Sequence, residues 1–453
     1  MPTPPTTSWS DLAGLRVGAW GLGVEGRATV RRLDALGIPA VLVDDRPPEG
    51  GLDGRPVLAT GGGGLDALAR CDVVVKTPGI SRYRPEVTLL EASGTRVVGA
   101  LGLWLAGADR SRVVCVTGTK GKSTTTSVLG HLLRGLGHSV LVGGNIGVPP
   151  YDPAAPTDVD WWVIEVSSYQ AVDVTVAPPV VAVTSLHPDH LTWHGDVETY
   201  YADKLSLCTR PGADLTVANS DSPLLHQRRA LLGPRVEWVS VAGATPGDWT
   251  APLGLLGSHN HRNALIARAC LRALRVEGAD DDDVLARAAR GYEHLGSRLQ
   301  PVADLDGVLF VDDSLSTNVL ATLAAVEAFP GRAVVVVVGG QDRGIDYGPL
   351  VAGLAARPDP TLVAILDSEA GPRMRAAFDA HAAFSPEPGR PEVVEVADLA
   401  AAAWLGRDWA RPDGVVLLSP AAPSFDRFRD YRERAAAFAS AVGRLRALTA
   451  GES

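Results

Sequence analysis

The 453-residue chain has few cysteines, few basic residues and no long apolar run, and each shortage narrows the class of protein. Its 4 cysteines, with no CxxC spacing, exclude a disulfide scaffold and a zinc ribbon and are typical of a reducing cytoplasm. Because 52 acidic residues outnumber 42 lysines and arginines, we expect no nucleic-acid partner. No run reaches the roughly 18 apolar residues of a membrane span, and the N-terminus lacks a signal-peptide pattern. We therefore expect an intracellular protein without a membrane span.

Hydrophobic residues are abundant, at 46% of the chain, which is enough for several cores. Short β-branched runs such as Arg112–Thr117 and Ala333–Val338 alternate with helical stretches such as Lys122–Leu136 and Arg427–Leu445. Several runs are apolar on both faces, as in covered parallel strands. The pattern predicts an α/β fold of repeated βαβ units. We divide it into three blocks, residues 1–109, 110–297 and 298–453.

The first glycine turn reads Gly21-Leu22-Gly23-Val24-Glu25-Gly26, a GxGxxG pattern between a predicted strand and a predicted helix. Asp44 and Asp45 follow at the end of the next predicted strand. This is the dinucleotide-binding arrangement, in which backbone N–H groups approach a diphosphate. The residues alone leave three interpretations open: a nicotinamide cofactor, another nucleoside diphosphate, or a tight turn without a ligand.

The second glycine turn, Gly118 to Thr124, misses the strict Walker pattern because Val116 stands where its first glycine belongs. It still supplies flexible glycines, a lysine for phosphate oxygens and hydroxyls for Mg²⁺. Glu165 ends a buried-looking strand downstream. A carboxylate there is costly unless it is paired or metal-bound, so it is a candidate Mg²⁺ ligand. The turn therefore predicts a nucleoside triphosphate site.

Three histidines, at positions 187, 190 and 194, lie in one predicted loop. Zinc is disfavoured because no cysteine is near. We expect His190 to act on Mg²⁺ or substrate and His187 and His194 to lie at the surface.

A second polar cluster is expected to form the solvated face of the last helix: Arg427, Arg429, Arg432 and Arg434.

Taken together, these motifs resemble the Mur ligases, the ATP-dependent amide-forming enzymes of peptidoglycan precursor synthesis. The resemblance covers nearly the whole chain. Besides the Gly-Lys-Ser-Thr loop, the matching segments are Gly143–Gly147, Glu165–Gln170, Asp189-His190, Lys204, His259–Ala264, Arg298, Asp312–Ser314 and Leu418–Ala421. The short N-terminal block and the Thr77-Pro78-Gly79-Ile80 turn are most similar to the glutamate-adding members.

The resemblance implies three domains: a Rossmann-like domain for UDP, a central P-loop-type domain for ATP, and a Rossmann-like C-terminal domain for the amino acid. The implied substrates are UDP-N-acetylmuramoyl-L-alanine and glutamate, joined through an acyl phosphate with ATP and Mg²⁺. The first glycine turn would then hold UDP and not NAD. A monomer is expected.

The resemblance also assigns residues to each site. The UDP-substrate site would comprise Gly21, Leu22, Gly23, Asp45, Arg46, Thr77, Pro78, Gly79, Asn145, Ser167 and Gln170. The ATP site would comprise Gly118, Thr119, Lys120, Gly121, Lys122, Ser123, Thr124, Asn260, Asn263, Arg298 and Asp313. One Mg²⁺ would bind Ser123 and Glu165, and a second His190 and Lys204. Lys204 would act as a carbamate, which requires an amine with a lowered pKa. The implied catalytic residues are Lys122, Glu165, His190 and Lys204.

One departure concerns the amino-acid pocket. Members that add D-glutamate usually read Asp-Ser-Lys-Ala-Thr-Asn where this chain reads Asp313-Ser314-Leu315-Ser316-Thr317-Asn318. Leu315 cannot pair with a carboxylate, whereas Arg343 can. The stretches Tyr83–Glu86 and Ser419–Phe425 resemble a branch that adds L-glutamate and whose product is later epimerised. We favour L-glutamate, with a functional link to a glutamate epimerase. The expected pocket residues are Ser316, Thr317, Arg343, Ser424 and Tyr431.

Other interpretations remain open. The alternative within the family is the same reaction with D-glutamate, with Arg343 replacing the lysine. Outside the glutamate-adding ligases, a dehydrogenase would leave the second glycine turn unexplained, and a nucleotide-hydrolysing switch would not depend on an amino acid. A folylpolyglutamate synthase-like enzyme would not need the N-terminal block. Glutamate-dependent ATP cleavage distinguishes all of these.

Overall fold

The structure, a computed structural model, describes residues 7–242, 249–384 and 392–450. The chain separates into two compact units. One comprises Met1–Gly254 with Asn260–Tyr292, and the other Leu255–His259 with Glu293–Ser453. Across the described ranges, every helix is too short or too polar to pass through a membrane.

The first sheet has five parallel strands in the order β3-β2-β1-β4-β5. The strands are β1 (Val17–Trp20), β2 (Ala40–Asp44), β3 (Leu58–Ala59), β4 (Val73–Lys76) and β5 (Arg96–Gly99). The helices are α1 (Val24–Ala35), α2 (Leu65–Leu68), α3 (Pro85–Ala92) and α4 (Ala100–Gly107). The GxGxxG turn joins β1 to α1, as the sequence predicts.

The second sheet has six parallel strands in the order β11-β10-β9-β6-β8-β7. The strands are β6 (Val113–Thr117), β7 (Val140–Gly144), β8 (Trp161–Glu165), β9 (Val180–Val183), β10 (Leu215–Asn219) and β11 (Val236–Val239). The helices are α5 (Lys122–Gly135), α6 (Ser168–Ala171), α7 (Leu191–His194), α8 (Val197–Leu205), α9 (Pro223–Gln227), α10 (Ser258–Ala273) and α11 (Asp282–Ala288). Because β6 lies between β8 and β9, the loops that leave these three strands meet at one edge.

The third sheet has six strands in the order β12-β13-β17-β14-β15-β16, with only β12 antiparallel to its neighbour. The strands are β12 (Gln300–Leu305), β13 (Val308–Asp312), β14 (Val334–Val338), β15 (Thr361–Leu366), β16 (Glu392–Val396) and β17 (Val415–Leu418). The helices are α12 (Val319–Val326), α13 (Gly348–Ala355), α14 (Gly371–Asp379), α15 (Leu399–Ala410) and α16 (Tyr431–Ala450). The last helix thus begins at Tyr431, and the prediction that it begins at Arg427 was wrong.

The valine run of β14 shows why this sheet is covered on both faces. All five valines are buried. Val334, Val336 and Val338 belong to one core cluster, and Val335 and Val337 to another. Successive side chains of a strand point to opposite faces, so a continuous apolar run requires helices on both sides. The α/β class predicted from such runs is confirmed.

A buried ion pair joins the first two sheets within their unit. Lys76, at the end of β4, pairs with Asp173, and both side chains are almost fully buried. Lys76 Nζ also donates to the backbone oxygen of Ile80 at 3.1 Å. The nearest further charge on Asp173 is Arg82, whose Nη1 lies 3.7 Å from Asp173 Oδ1. Asp173 therefore depends on Lys76 for its charge compensation.

Replacing this lysine tests how much the pair stabilises the unit. We expect Lys76→Met to lower the free energy of unfolding by about 3–5 kcal/mol, because it leaves a buried carboxylate without its main partner. Urea denaturation of the first unit's transition measures this. The control is Arg16→Met, which breaks an exposed pair with Asp72 (71% and 38% exposed) and should cost under about 1 kcal/mol. Equal losses in the two variants would contradict the assignment.

Candidate active site

The second glycine turn forms a tight phosphate-type loop between β6 and α5. Lys122 Nζ folds back to donate to the backbone oxygens of Gly118 at 3.0 Å and Thr119 at 3.2 Å. Gly118 and Gly121 have φ of +133° and +89°, conformations that side chains rarely adopt. A Cβ at Gly121 would also lie 2.6 Å from Asn263 Oδ1 on α10. The loop leads directly into the N-terminus of α5, and a helix N-terminus favours an anion.

Lys204 lies buried against the same loop. Its Nζ donates to the Gly118 oxygen at 3.0 Å, the oxygen that also accepts from Lys122. The ammonium position lies 5.0 Å from the centre of the Tyr200 ring. Burial, reinforced by the charge of Lys122, lowers the pKa of Lys204 well below its ordinary value. The structure thus favours a neutral, nucleophilic amine at this position.

Glu165 ends β8 beside the phosphate loop and has an unpaired oxygen. Its Oε1 accepts from Asn145 Nδ2 at 2.7 Å. Its Oε2 is buried and has no hydrogen-bond partner among the described residues. Ser123, in the first turn of α5, is also buried. A carboxylate oxygen and a hydroxyl are the donors that Mg²⁺ prefers, so these two residues fit that ion. The described ranges hold no group of three or more His, Cys, Asp or Glu side chains arranged for a metal, so phosphate and water oxygens would have to complete its coordination.

His190 stands at the start of α7 in a left-handed conformation, with φ of +52°. Its side chain is 49% exposed, and its Nε2 lies 3.8 Å from Asp189 Oδ2. Partial burial lowers the pKa of His190, which favours the neutral, ligand-competent imidazole. The side chain of His190, which was expected to act on Mg²⁺ or substrate, is therefore accessible.

His194 is fully buried, so its predicted surface position was wrong. Its Nδ1 lies 2.7 Å from Asp203 Oδ2, and its Nε2 lies 3.0 Å from Ser168 Oγ. His187 is half-buried, with its backbone N–H donating to Thr119 Oγ1 at 3.0 Å. The partners of His194 are far from it in sequence or on another helix, so local pattern reading missed them.

The predicted UDP turn contacts Asp44 directly. The Leu22 N–H donates to Asp44 Oδ2 at 2.6 Å. Asp45, the predicted residue, instead accepts from Arg84 Nη1 at 2.6 Å and from Thr60 at 2.8 Å. Arg46 is exposed. Asp44, the residue before the expected Asp45, is therefore the carboxylate that contacts the glycine turn.

Other predicted UDP-substrate residues lie beside this turn or near Glu165. The Thr77 N–H donates to the Trp20 oxygen at 2.9 Å, which places the start of the Thr77-Pro78-Gly79 turn next to Gly21. Gln170 Oε1 accepts from the Ser167 N–H at 2.9 Å, and Gln170 Nε2 donates to Glu25 Oε1 at 3.0 Å. The Gln170 side chain is thus occupied in holding α6 to α1.

Two of the predicted nucleotide residues, Asn260 and Asn263, share α10. Asn263 Nδ2 donates to Asn260 Oδ1 at 3.2 Å, and Asn263 lies against Gly121 of the phosphate loop. These asparagines are therefore brought to the loop, as expected for a nucleotide site.

In the second unit, Asp313 lies beside the Arg298 backbone. Asp313 Oδ1 accepts from the Leu299 N–H at 3.2 Å, and Oδ2 accepts from Ser419 Oγ at 2.8 Å. Burial raises the pKa of Asp313 to about 7. Ser297 and Leu299, on either side of Arg298, both have positive φ, so the chain turns sharply there.

Three loops of the second unit lie side by side at the ends of β13, β17 and β14. The Gly339 N–H donates to Pro420 O at 2.9 Å, and the Ala421 N–H to Ser316 O at 3.0 Å. These loops carry the predicted amino-acid residues: Ser316 and Ser424 buried, Thr317 half-buried, and Arg343 exposed. Tyr431, the fifth of the set, is half-buried at the start of α16. The adjacent strands therefore gather the predicted loops into one surface.

The Arg434 side chain donates hydrogen bonds to all three of these loops. Its Nη1 donates to Gly339 O at 3.4 Å and Ala422 O at 3.2 Å, and its Nη2 donates to Ser314 O at 2.8 Å. Burial lowers its pKa to about 10. Arg434 is only 1% exposed, so its predicted place on a solvated face was wrong. Arg427, Arg429 and Arg432 are exposed, but only Arg432 lies on α16.

Sequence comparison identifies the architecture. Residues 116–247 match the Mur ligase middle domain, and residues 297–422 match the Mur ligase glutamate ligase domain. Proteins named UDP-N-acetylmuramoyl-L-alanine–L-glutamate ligase from a Micromonospora strain and from Salinispora tropica are 42% and 41% identical to this chain. The alignments cover 96% of this chain and 97% and 98% of those proteins. The chain belongs to the Mur ligase family. Members are ADP-forming, ATP-dependent amide ligases, and this Mur ligase is an enzyme of that class.

Solved structures agree on the fold. UDP-N-acetylmuramate-alanine ligase MurC from Thermotoga maritima aligns with a TM-score of 0.56 at 18% identity, covering 96% of this chain and 99% of that one. MurF ligase from the same organism, in complex with ADP, aligns with a TM-score of 0.54 at 16% identity, covering 97% and 98%. The three-sheet architecture is thus that of Mur ligases.

The unpaired oxygen of Glu165 predicts the effect of neutralising it. We expect Glu165→Gln to lower kcat for ADP formation at least about 100-fold, since even an outer partner of a metal site costs 10- to 100-fold. A coupled ADP assay measures this. Glu237→Gln, a matched change in the partly buried glutamate of β11, should leave kcat unchanged. Full activity of Glu165→Gln would remove this residue from the site.

The three-loop contact of Arg434 predicts a selective effect on amino-acid binding. A lysine keeps the charge but lacks the planar fork that reaches all three carbonyls. We expect Arg434→Lys to raise the KM for the amino-acid substrate about 10-fold, the equivalent of one charged hydrogen bond, with the KM for ATP unchanged. Arg432→Lys, on the exposed face of the same helix, is the control. An unchanged amino-acid KM in folded Arg434→Lys contradicts the assignment.

Proposed function

We propose that this Mur ligase joins L-glutamate to UDP-N-acetylmuramoyl-L-alanine, with ATP converted to ADP and phosphate. The observation that carries the proposal is the likeness over nearly the whole chain to ligases named for that reaction. In the second unit, the loop after β13 presents Leu315 between Ser314 and Ser316, so it lacks the lysine that would pair with a glutamate carboxylate in members that add D-glutamate. Arg343, exposed on the neighbouring loop, supplies a cation for a glutamate carboxylate.

The proposed reaction has two steps. The carboxylate of the muramoyl-alanine attacks the γ-phosphorus of ATP, the bond to ADP breaks, and an acyl phosphate forms. The glutamate amine then attacks the acyl carbon, phosphate leaves with the bonding electrons, and the amine loses a proton. Lys122 and the first N–H groups of α5 would bind the phosphate oxygens and orient the γ-phosphate.

Mg²⁺ would neutralise charge on the phosphates as the first step proceeds. Ser123 and Glu165 are the proposed residues for one ion, and His190 with carbamylated Lys204 for the other. The buried Oε2 of Glu165 and the lowered pKa of Lys204 support these assignments. A lysine ammonium repels a cation, whereas its carbamate supplies carboxylate oxygens.

The remaining assignments follow the resemblance to the Mur ligases. We propose that the turns at Gly21 and Thr77 bind the UDP moiety, with Asp44 holding the first turn in shape. Asn260 and Asn263 would contact the adenine, and Asp313 and Arg298 the ribose and phosphates. Ser316, Thr317, Arg343, Ser424 and Tyr431 would bind glutamate.

We place the reaction in the cytoplasm, where ATP is available and where the reducing environment keeps the four buried cysteines as free thiols. If L-glutamate is the substrate, its product has the L configuration at a position where a D residue is required later. An epimerase acting on the glutamyl residue would then follow this enzyme.

The decisive measurement is phosphate release from ATP with UDP-N-acetylmuramoyl-L-alanine and either L- or D-glutamate. We expect release with L-glutamate to exceed that with D-glutamate, because Leu315 takes the lysine's charge from one loop and leaves Arg343 on the neighbouring loop to bind the carboxylate. A preference for D-glutamate would favour the alternative, an ordinary D-glutamate ligase that uses Arg343. Release with neither would contradict the amino-acid assignment.

A further inference from the structure

A chain of hydrogen bonds connects the first block to the helix that carries Lys204. Tyr83 Oη donates to both carboxylate oxygens of Asp203, at 2.8 Å each. Asp203 Oδ2 lies 2.7 Å from His194 Nδ1, and His194 Nε2 lies 3.0 Å from Ser168 Oγ. Tyr83 belongs to the Tyr83–Glu86 stretch, so this contact gives that motif a role outside the glutamate pocket. These four residues are called the tyrosine relay below.

The partners in the relay fix its direction. A carboxylate only accepts, so His194 must donate from Nδ1. In a neutral imidazole Nε2 is then the acceptor, and Ser168 donates to it from its hydroxyl. Each of these buried polar atoms has a partner of the right kind. The relay therefore holds one arrangement of α6, α7 and α8.

The order Ser168, His194, Asp203 is also that of a hydrolase triad. A nucleophilic serine must be reachable by the carbonyl it attacks. Ser168 is 1% exposed and begins α6 inside the unit, so its hydroxyl is enclosed by protein. The geometry therefore supports a positioning role and not a nucleophilic one.

Two members of the relay, Asp203 and Ser168, lie close in sequence to two residues of the proposed metal sites. Asp203 directly precedes Lys204 on α8, and Ser168 lies three positions after Glu165 in the sequence. The same helix is fixed at its start by Asp196, which accepts from the Thr199 N–H at 2.9 Å. It is also tied to the phosphate loop by Tyr200, whose Oη lies 2.9 Å from Thr119 Oγ1. The relay thus links the segments that carry Glu165 and Lys204.

We propose that Tyr83, Asp203 and His194 are positioning residues that hold Lys204 where its amine can react with CO₂ and where the resulting carbamate can meet Mg²⁺. In that reaction the amine nitrogen bonds to the carbon of CO₂ and one N–H proton passes to solvent. The inference rests on the proposed function of Lys204. Because Tyr83 comes from the first block, the hold on Lys204 depends on contact between the two blocks of this unit.

The test uses Tyr83→Phe, which keeps the ring against Trp193 and removes only the hydroxyl. Two readouts are needed: the carbamate signal in ¹³C NMR after equilibration with labelled bicarbonate, Mg²⁺ and ADP, and the KM for Mg²⁺. We expect the carbamate signal to fall and the KM for Mg²⁺ to rise about 10- to 100-fold, the range for outer partners of metal sites. Tyr201→Phe makes the same change on α8 away from Asp203 and should alter neither readout.

A second variant, Asp203→Asn, tests the same hydrogen-bond chain at another residue. Asn keeps the shape of the side chain, so we expect the same lower carbamate signal and higher KM for Mg²⁺. Saturating Mg²⁺ and bicarbonate should restore kcat. The midpoint of thermal unfolding should stay unchanged. Wild-type carbamate signal and Mg²⁺ KM in both variants would overturn the inference and leave the role of Lys204 standing. A wild-type enzyme that is active without any carbamate signal would overturn the proposed role of Lys204, and the inference with it.

Discussion

Two lysines that share one carbonyl oxygen constrain the whole active-site edge of the first unit. Lys122 and Lys204 both donate to Gly118 O at 3.0 Å. Two ammonium groups at such a short distance repel each other, and burial removes the water that would screen their charges. The arrangement is stable when one amine is neutral or when anions arrive. The proposed nucleoside triphosphate and the proposed carbamate of Lys204 would both supply negative charge at this point.

Parallel strand order explains why these groups meet. The loops after β6, β8 and β9 lie side by side, and they carry Lys122, Glu165 and the segment leading to His190. The third sheet repeats the principle, since β13, β17 and β14 are neighbours and their loops carry Leu315, Ser424 and Arg343. Residues that are tens of positions apart in sequence, and 109 apart for Leu315 and Ser424, become neighbours because the sheet orders their strands. Both sites are thus products of topology as much as of local motifs.

Sequence alone was sufficient where the chemistry is local. Runs such as the valines of β14 can only be covered strands, and the glycine turns occur between a strand and a helix, as predicted. It was insufficient where a polar side chain is buried by a distant partner. Tyr83 and Asp203 are 120 positions apart, as are Ser314 and Arg434. Arg434 alternates with exposed charges along α16, so its local pattern is that of a solvated face, and only the three carbonyls that converge on it make burial favourable.

The fixed loops of the second unit show how an amino-acid pocket can change specificity without a change of scaffold. The loops that carry Leu315 and Arg343 are held to a common strand, β17, through the loop of Pro420 and Ala421 and by Arg434. Because their backbones are fixed relative to each other, loss of a lysine from one loop does not require the other to move. With Arg343 in the role proposed for it, the charge that faces a glutamate carboxylate would lie on the other loop while the scaffold stays in place. A rearranged charge on an unchanged frame is what discrimination between two mirror-image substrates requires, since L- and D-glutamate carry the same groups and differ only in where those groups point.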